Sequence, residues 1–237
     1  MLRRIWTLLV IVAATVALGA AATAAGLLRP GGTSTLRLAR VWSRWILGAA
    51  GVGVEYEGLE HVPRERACIF MVNHRSNLDI WALAPALPDA TVFVAKRSLF
   101  RVPLIGSAMK AGGFIPLDRS RRSSALESLS IAARRLREGR PLVVFPEGTR
   151  SRDGSLGTFK KGAFHTALEA GAPIVPVAIS GSRNLLPPGS VLVRSGRVRV
   201  RFGPPVDAGT FPAAQIPDLV RTVRQAIASL LDEERPR

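Results

Sequence analysis

The sequence predicts an α/β domain: a largely parallel central sheet flanked by helices, preceded by an N-terminal two-helix apolar segment. Three observations carry this reading. From about residue 54 onward, short apolar runs alternate with stretches of helical periodicity, the pattern of strands joined through helices. Between Arg4 and Arg29 lie 24 consecutive uncharged residues, mostly Ala, Val, Leu and Ile. The chain's 237 residues suffice for one sizeable domain plus an appendage.

The elements follow in order. As a helix the uncharged run is about 36 Å long, enough to cross a hydrocarbon core of about 30 Å. A cleaved secretory signal is the competing reading, because Arg3-Arg4, an apolar run and "ATAA" follow that order. The next segment, "TLRLARVWSRWILG", places Leu38, Val41, Trp42 and Trp45 on one helical face and Arg37, Arg40 and Arg44 on the other. A basic face opposite tryptophans suits a helix in the lipid headgroup zone, and a helix packed on the domain with solvated arginines is the competing reading. Pro30-Gly31-Gly32 separates the two helices. Residues 1–50 are thus expected to form a membrane anchor and residues 51–237 the α/β domain. If the first helix spans, the heavier arginine load on its C-terminal side puts the domain in the cytoplasm.

Strands are expected at "ACIFMV" (67–72), "TVFVA" (91–95), "GFIPL" (113–117), "PLVVF" (141–145) and "PIVPVAI" (173–179). Helices are expected near 77–86, 98–110, 123–138 and 158–170. "VLVRSGRVRVRF" reads as a two-stranded piece turning at Ser195-Gly196. Leu219, Val220, Val223, Ile227, Leu230 and Leu231 recur at helical spacing, so 217–233 reads as a C-terminal packing helix.

Charge narrows the partners. With 33 Lys and Arg against 17 Asp and Glu, the net charge of +16 asks for an anionic partner: a phospholipid surface, a phosphorylated substrate or nucleic acid. Residues 1–54 hold no Asp or Glu at all. The single Cys68 sits inside an apolar run and excludes a disulfide framework or a CxxC metal site.

In open α/β sheets ligands bind beyond the carboxyl ends of the strands, and the polar clusters fall there. "NHRSNLD" follows the first expected strand and Lys96-Arg97 the second; "DRSRR" follows the third and "PEGTRSRDG" the fourth. His74 and Asp79 would diverge by about 140° on one straight helix. With His74 in the loop and Asp79 in the first helical turn, the carboxylate can fold back to the imidazole, fix its tautomer and leave the other nitrogen as a base. No serine or cysteine nucleophile stands beside the pair, so it could activate a substrate hydroxyl directly. Ser76 reads as a helix cap. His61 sits in a turn, and His165 with Glu169 reads as a surface pair at i, i+4. Arg150 can fork a phosphate, and glycine and threonine in "PEGTR" let the backbone approach a ligand.

"NHRSNLD", "GGFIPLDRS", "FPEGTRSRDG" and "PIVPVAI", in this order over residues 55 to 205, resemble the four motifs of the glycerolipid acyltransferases. The resemblance is greatest to the bacterial 1-acyl-sn-glycerol-3-phosphate (lysophosphatidic acid) acyltransferases. It implies transfer of an acyl chain from acyl-CoA or acyl-carrier protein to the sn-2 hydroxyl of a lysophospholipid, in phospholipid synthesis at the cytoplasmic membrane. His74 is then the general base and Asp79 its orienting partner, with no acyl-enzyme. Lys96, Arg119 and Arg150 are implied as contacts of the acceptor and its phosphate, and Glu147, Gly148 and Thr149 as shaping that wall. No cofactor, metal or nucleic acid is implied. Relatives with the same motifs use glycerol 3-phosphate, other lysophospholipids or lyso-ornithine lipids. A non-catalytic basic membrane-binding protein and a thioester hydrolase are the readings outside acyl transfer.

Overall fold

A computed structural model of the protein describes residues 2–28, 33–118, 122–151 and 153–232. Two helices lead, α1 (Leu2–Leu28) and α2 (Thr33–Ala50). The domain continues as β1 (Val52–Glu57), β2 (Ile69–Val72), α3 (Leu78–Leu83), β3 (Val92–Lys96), α4 (Ile105–Ala111), β4 (Ile115–Leu117), α5 (Arg122–Arg137), β5 (Leu142–Val144) and α6 (Gly162–Ala170). It ends with β6 (Ile174–Ser180), α7 (Ser182–Leu185), β7 (Gly196–Phe202) and α8 (Ile216–Asp232). Among the described residues the strands form one sheet in the order β1-β7-β6-β2-β5-β3-β4. The five from β6 to β4 are mutually parallel, and β7 runs antiparallel to β6 while pairing parallel with β1.

Both faces of this sheet are covered, which explains why its inner strands are apolar throughout rather than alternating. In β2, Phe70 and Val72 enter a core with α2, α3 and β7, whereas Ile69 and Met71 enter a second core with α5, α6 and α8. Every residue of β2 and β6 is buried. The amphipathic α8 supplies Leu219, Val223 and Ile227 to the second core, each fully enclosed, as its spacing predicts.

Prolines shorten the expected helices. The 98–110 helix divides into a 3₁₀ turn (Arg97–Arg101) and α4, parted at Pro103. The 77–86 helix stops at Leu83 and tightens into a 3₁₀ turn containing Pro85.

Several expectations are corrected. Of "VLVRSGRVRVRF" only Gly196–Phe202 is strand, the single β7, whose partners are β1 and β6. The first strand, β1, lies outside the expected set. Its Glu55 and Glu57 face Arg197, Arg199 and Arg201 of β7, a charged ladder that only the tertiary pairing creates. On α2, Arg37 binds Asp89 at 3.0 Å and Arg40 binds Asp89 and the Leu87 carbonyl, tying part of the basic face to the domain, while Arg44 is exposed. Glu169 pairs with Arg137 at 2.6 Å and not with His165. Pro30-Gly31-Gly32 lies outside the described residues.

The two leading helices belong to the body of the molecule. α1 turns its small residues inward: Ala14, Gly19, Ala22 and Gly26 are buried, while Ile5, Trp6, Leu9, Val12 and Val16 are at least half exposed. A methyl group at Gly19 would touch the Leu104 side chain at 3.3 Å, and one at Gly26 would overlap Ala111 of α4. Helix α2 reaches the site's own helix, where Trp42 meets Trp81 of α3 edge to face at 5.8 Å.

Candidate active site

β2 ends at Val72, and the residues that follow build the centre. Asn73 is fully buried. Its amide nitrogen donates to the Ile179 carbonyl (2.9 Å) and its oxygen accepts from the Ile179 N–H (2.7 Å), fastening the exit of β2 to β6. His74 follows, with its side chain 15% exposed. Its Nδ1 lies 2.8 Å from Oδ2 of Asp79. That same oxygen accepts from the backbone N–H groups of Arg75 and Ser76, each at 2.8 Å. The other oxygen, Oδ1, is buried and has no partner among the described residues. Asp79 is fully enclosed in the first turn of α3, where the helix end favours a carboxylate.

Because an ionised carboxylate only accepts, Nδ1 carries the proton and donates. The imidazole Nε2 is left as a lone-pair base at the carboxyl edge of the sheet. Ser76 caps α3, accepting from Leu78 N–H at 3.1 Å, and donates to the Leu186 carbonyl at 2.6 Å. The capping role expected of it is therefore joined by a tie to the segment after α7.

The "PEGTRSRDG" cluster closes over His74 from the next strand, β5. Phe145 stacks on the imidazole with ring centroids 4.0 Å apart and planes 24° from parallel. Ser151 N–H donates to the His74 carbonyl at 2.8 Å. Glu147, 8% exposed, receives the His74 N–H at 2.8 Å on Oε1 and the Gly157 N–H at 2.9 Å on Oε2. Its carboxylate thus points into the protein. Gly148 sits at φ 82°, a left-handed conformation that favours glycine, so the turn can double back toward the histidine. Thr149 is exposed and Arg150 half-buried; among the described residues Arg150 has no carboxylate partner.

The remaining cations are farther away. Lys96 is exposed at the end of β3, two strand spacings from β2, about 10 Å. Its neighbour Arg97 is 3.6 Å from Asp118. Arg119 lies outside the described residues, as do Arg121 and Arg152. The pair His74 and Asp79 and the loop with Glu147, Gly148, Thr149 and Arg150 are therefore brought together, and Lys96 stands at the margin. Asn73, Phe145, Ser151 and Gly157 were not singled out in the sequence. Only Asn73 carried a signal, a polar residue between a fully apolar strand and the histidine.

Cys68 is wholly buried on the approach to β2, and burial pushes its thiol up to about 12, which excludes a thiolate at neutral pH. Among the described residues no three His, Cys, Asp or Glu side chains are grouped to hold a metal ion. A cavity of about 440 Å³ opens beside Phe145 and Gly148, walled by Val94, Leu117, Leu129 and Leu142.

Fold and site define an α/β protein with a buried carboxylate–histidine pair at the carboxyl edge of a parallel sheet, under a cation-bearing loop. The family is specific. A family model described as Acyltransferase matches residues 53–180, more than half of the chain, and includes all of these groups. The chain belongs to the acyltransferase family. It is 32% identical over 216 residues to a 1-acyl-sn-glycerol-3-phosphate acyltransferase of Limnanthes douglasii, covering 89% of this chain and 76% of that one. It is 38% identical over 154 residues to a chloroplastic 1-acyl-sn-glycerol-3-phosphate acyltransferase of Brassica napus, covering 64% of this chain. The matched region spans only 44% of that longer relative. The crystal structure of the 1-acyl-sn-glycerophosphate (LPA) acyltransferase PlsC from Thermotoga maritima superposes with a TM-score of 0.84 at 27% identity, covering 100% of this chain and 98% of that one.

Proposed function

We infer that the protein transfers an acyl chain from a thioester, acyl-CoA or acyl-carrier protein, to the sn-2 hydroxyl of lysophosphatidic acid, yielding phosphatidic acid. The observation that carries this reading is the 2.8 Å His74–Asp79 contact, which leaves Nε2 free, within the range matched by the Acyltransferase family model in a chain similar to proteins named for that reaction. Nε2 takes the proton of the acceptor hydroxyl as its oxygen attacks the thioester carbonyl carbon. Asp79 holds the imidazolium that forms, since a buried carboxylate at hydrogen-bond distance favours the charged ring. The tetrahedral oxyanion then collapses, the carbon–sulfur bond breaks, and the imidazolium returns its proton to the leaving sulfur. No side chain is acylated, so the buried Cys68 has no part.

Arg150, with no carboxylate partner among the described residues, is the group we assign to the acceptor phosphate, and Lys96 at the rim adds a second charge. The cavity beside Phe145 has the apolar lining an acyl chain needs. Helix α1 supports a membrane-seated enzyme: by length and composition Ile5–Leu28 could cross a bilayer. Its small face, however, is committed to α2 and α4 from Thr7 to Gly26, while its large apolar side chains point outward. That geometry favours a helix lying in one leaflet rather than an isolated span, and the arginine-rich segment after it is our reason for putting the domain on the cytoplasmic side.

A panel of acceptors, offered with each thioester, tests the assignment. Lysophosphatidic acid should be used with the highest kcat/KM. Preference for glycerol 3-phosphate, another lysophospholipid or a lyso-ornithine lipid would reassign the substrate, and thioester hydrolysis alone would reject acyl transfer.

A further inference from the structure

Three of the four constraints on His74 come from the loop after β5, and one of them has a far side. The loop holds the imidazole face through Phe145, the His74 carbonyl through Ser151 and the His74 N–H through Glu147. Both peptide groups around the base are therefore fixed by this loop, and only Asp79 comes from the histidine's own segment. Glu147 is the costly member. Its carboxylate is buried, and among the described residues no lysine or arginine lies within ion-pair distance of it. A buried carboxylate without a counter-charge is retained only if hydrogen bonds replace its water. Here two charge-assisted bonds do so, one from His74 and one from Gly157.

Gly157 makes the second bond possible by lacking a side chain. A Cβ there would stand 2.9 Å from Glu147 Oε2 and 3.7 Å from its Cγ and Cδ. The backbone of Gly157 is not in the left-handed region, so alanine is compatible with its conformation and conflicts only with the carboxylate. Gly157 thus backs Glu147, and Glu147 backs the main chain of the base.

We propose that Glu147 and Gly157 act as a positioning couple for His74, so that Glu147 governs turnover rather than acceptor binding. The loop then has two separate roles. Phe145, Glu147 and Ser151 hold the base, and Arg150 meets the substrate's charge. This inference rests on His74 being the base, and not on which acceptor is used.

The experiment compares E147Q, E147D, G157A and the double variant E147D/G157A of the full chain, after thermal melting has verified each fold. The glutamine is isosteric, but either orientation of its amide opposes one N–H donor with another, so one of the two bonds is lost. In G157A the methyl displaces an intact carboxylate. E147Q and G157A should each lower kcat at least tenfold while KM for lysophosphatidic acid stays within twofold, a split that general loosening of the fold would not give. Aspartate in the double variant retracts the carboxylate by one methylene and makes room for the methyl. Its kcat should therefore exceed the product of the E147D and G157A effects. Hydrogen exchange at the His74 amide, which needs no activity, should quicken in E147Q and in G157A. A raised acceptor KM with kcat preserved, or strictly multiplicative effects with unchanged exchange, would overturn the proposal. An inactive wild type would reject the functional reading, and the exchange arm would still decide the positioning role.

Discussion

Replacing Asp79 with asparagine separates the charge of the pair from its geometry. Three N–H groups, from His74 Nδ1, Arg75 and Ser76, converge on Oδ2 of Asp79. An asparagine must therefore present its oxygen there and leave its NH₂ at the position of Oδ1, which is buried and has no partner among the described residues. The tautomer of His74 is preserved, because Nδ1 still finds an acceptor. What disappears is the attraction between the carboxylate and the imidazolium that forms during proton transfer. At about 4 Å between charge centres and an effective dielectric near ~20, that attraction is about 4 kcal/mol. At ~1.4 kcal/mol per tenfold, kcat should fall by about 10³. The unpaired NH₂ costs a further ~1–3 kcal/mol of stability, since a buried donor is left without an acceptor. The assay is phosphatidic acid formed per unit time at saturating thioester, with acceptor concentration varied, alongside a thermal melt. Acceptor KM should hardly move. A kcat within tenfold of wild type, or an equal loss expressed wholly in KM, would refute the role given to Asp79.

Other expectations follow from the same geometry. R150A should raise acceptor KM about 10–100-fold with a smaller change in kcat, the loss of one charge-assisted contact of ~1.5–3 kcal/mol; unchanged acceptor kinetics would remove Arg150 from the phosphate site. C68A should keep at least half of wild-type turnover, and thiol alkylation at pH 8 should leave the native enzyme active, because the buried thiol is pushed up to about 12. Burial likewise raises the Tyr56 hydroxyl to about 12 while Arg44 opposes the shift, and its O–H donates to the Ala82 carbonyl at 2.8 Å. A raised acid is neutral in the folded chain after it ionises in the unfolded one. Its stabilisation is therefore complete below pH 10 and declines between pH 10 and 12. Y56F should lower the melting temperature by a few degrees at pH 7 and lose less stability than wild type on going to pH 11.

Much of the sheet was legible because β2, β5 and β6 are buried on both faces and read as unbroken apolar runs. β1 was not, since "VGVEYE" owes its strand to the arginines of β7, some 142 to 144 residues away. The arginines of α2 had the spacing of a headgroup-facing helix. That two of them also reach Asp89, distant in sequence, was not readable from that spacing. In the site, the histidine and aspartate were visible as a five-residue spacing, and the charge of Arg150 as a strand-end cation. The supports of the base were invisible for one reason: Asn73 reaches Ile179 across 106 residues and Glu147 reaches His74 across 73, contacts that only the packed sheet produces. The family resemblance implied Glu147 as part of the acceptor wall, but its direction, inward to the main chain, is a property of the fold.

The most direct test of the central claim is release of the thiol carrier by the purified chain in phospholipid vesicles, with and without lysophosphatidic acid. Direct transfer from a hydroxyl activated by His74 predicts release only when acceptor is present, equimolar with phosphatidic acid formed, and abolished in H74A. Carrier release without acceptor, or an acyl group found covalently on the protein, would contradict it.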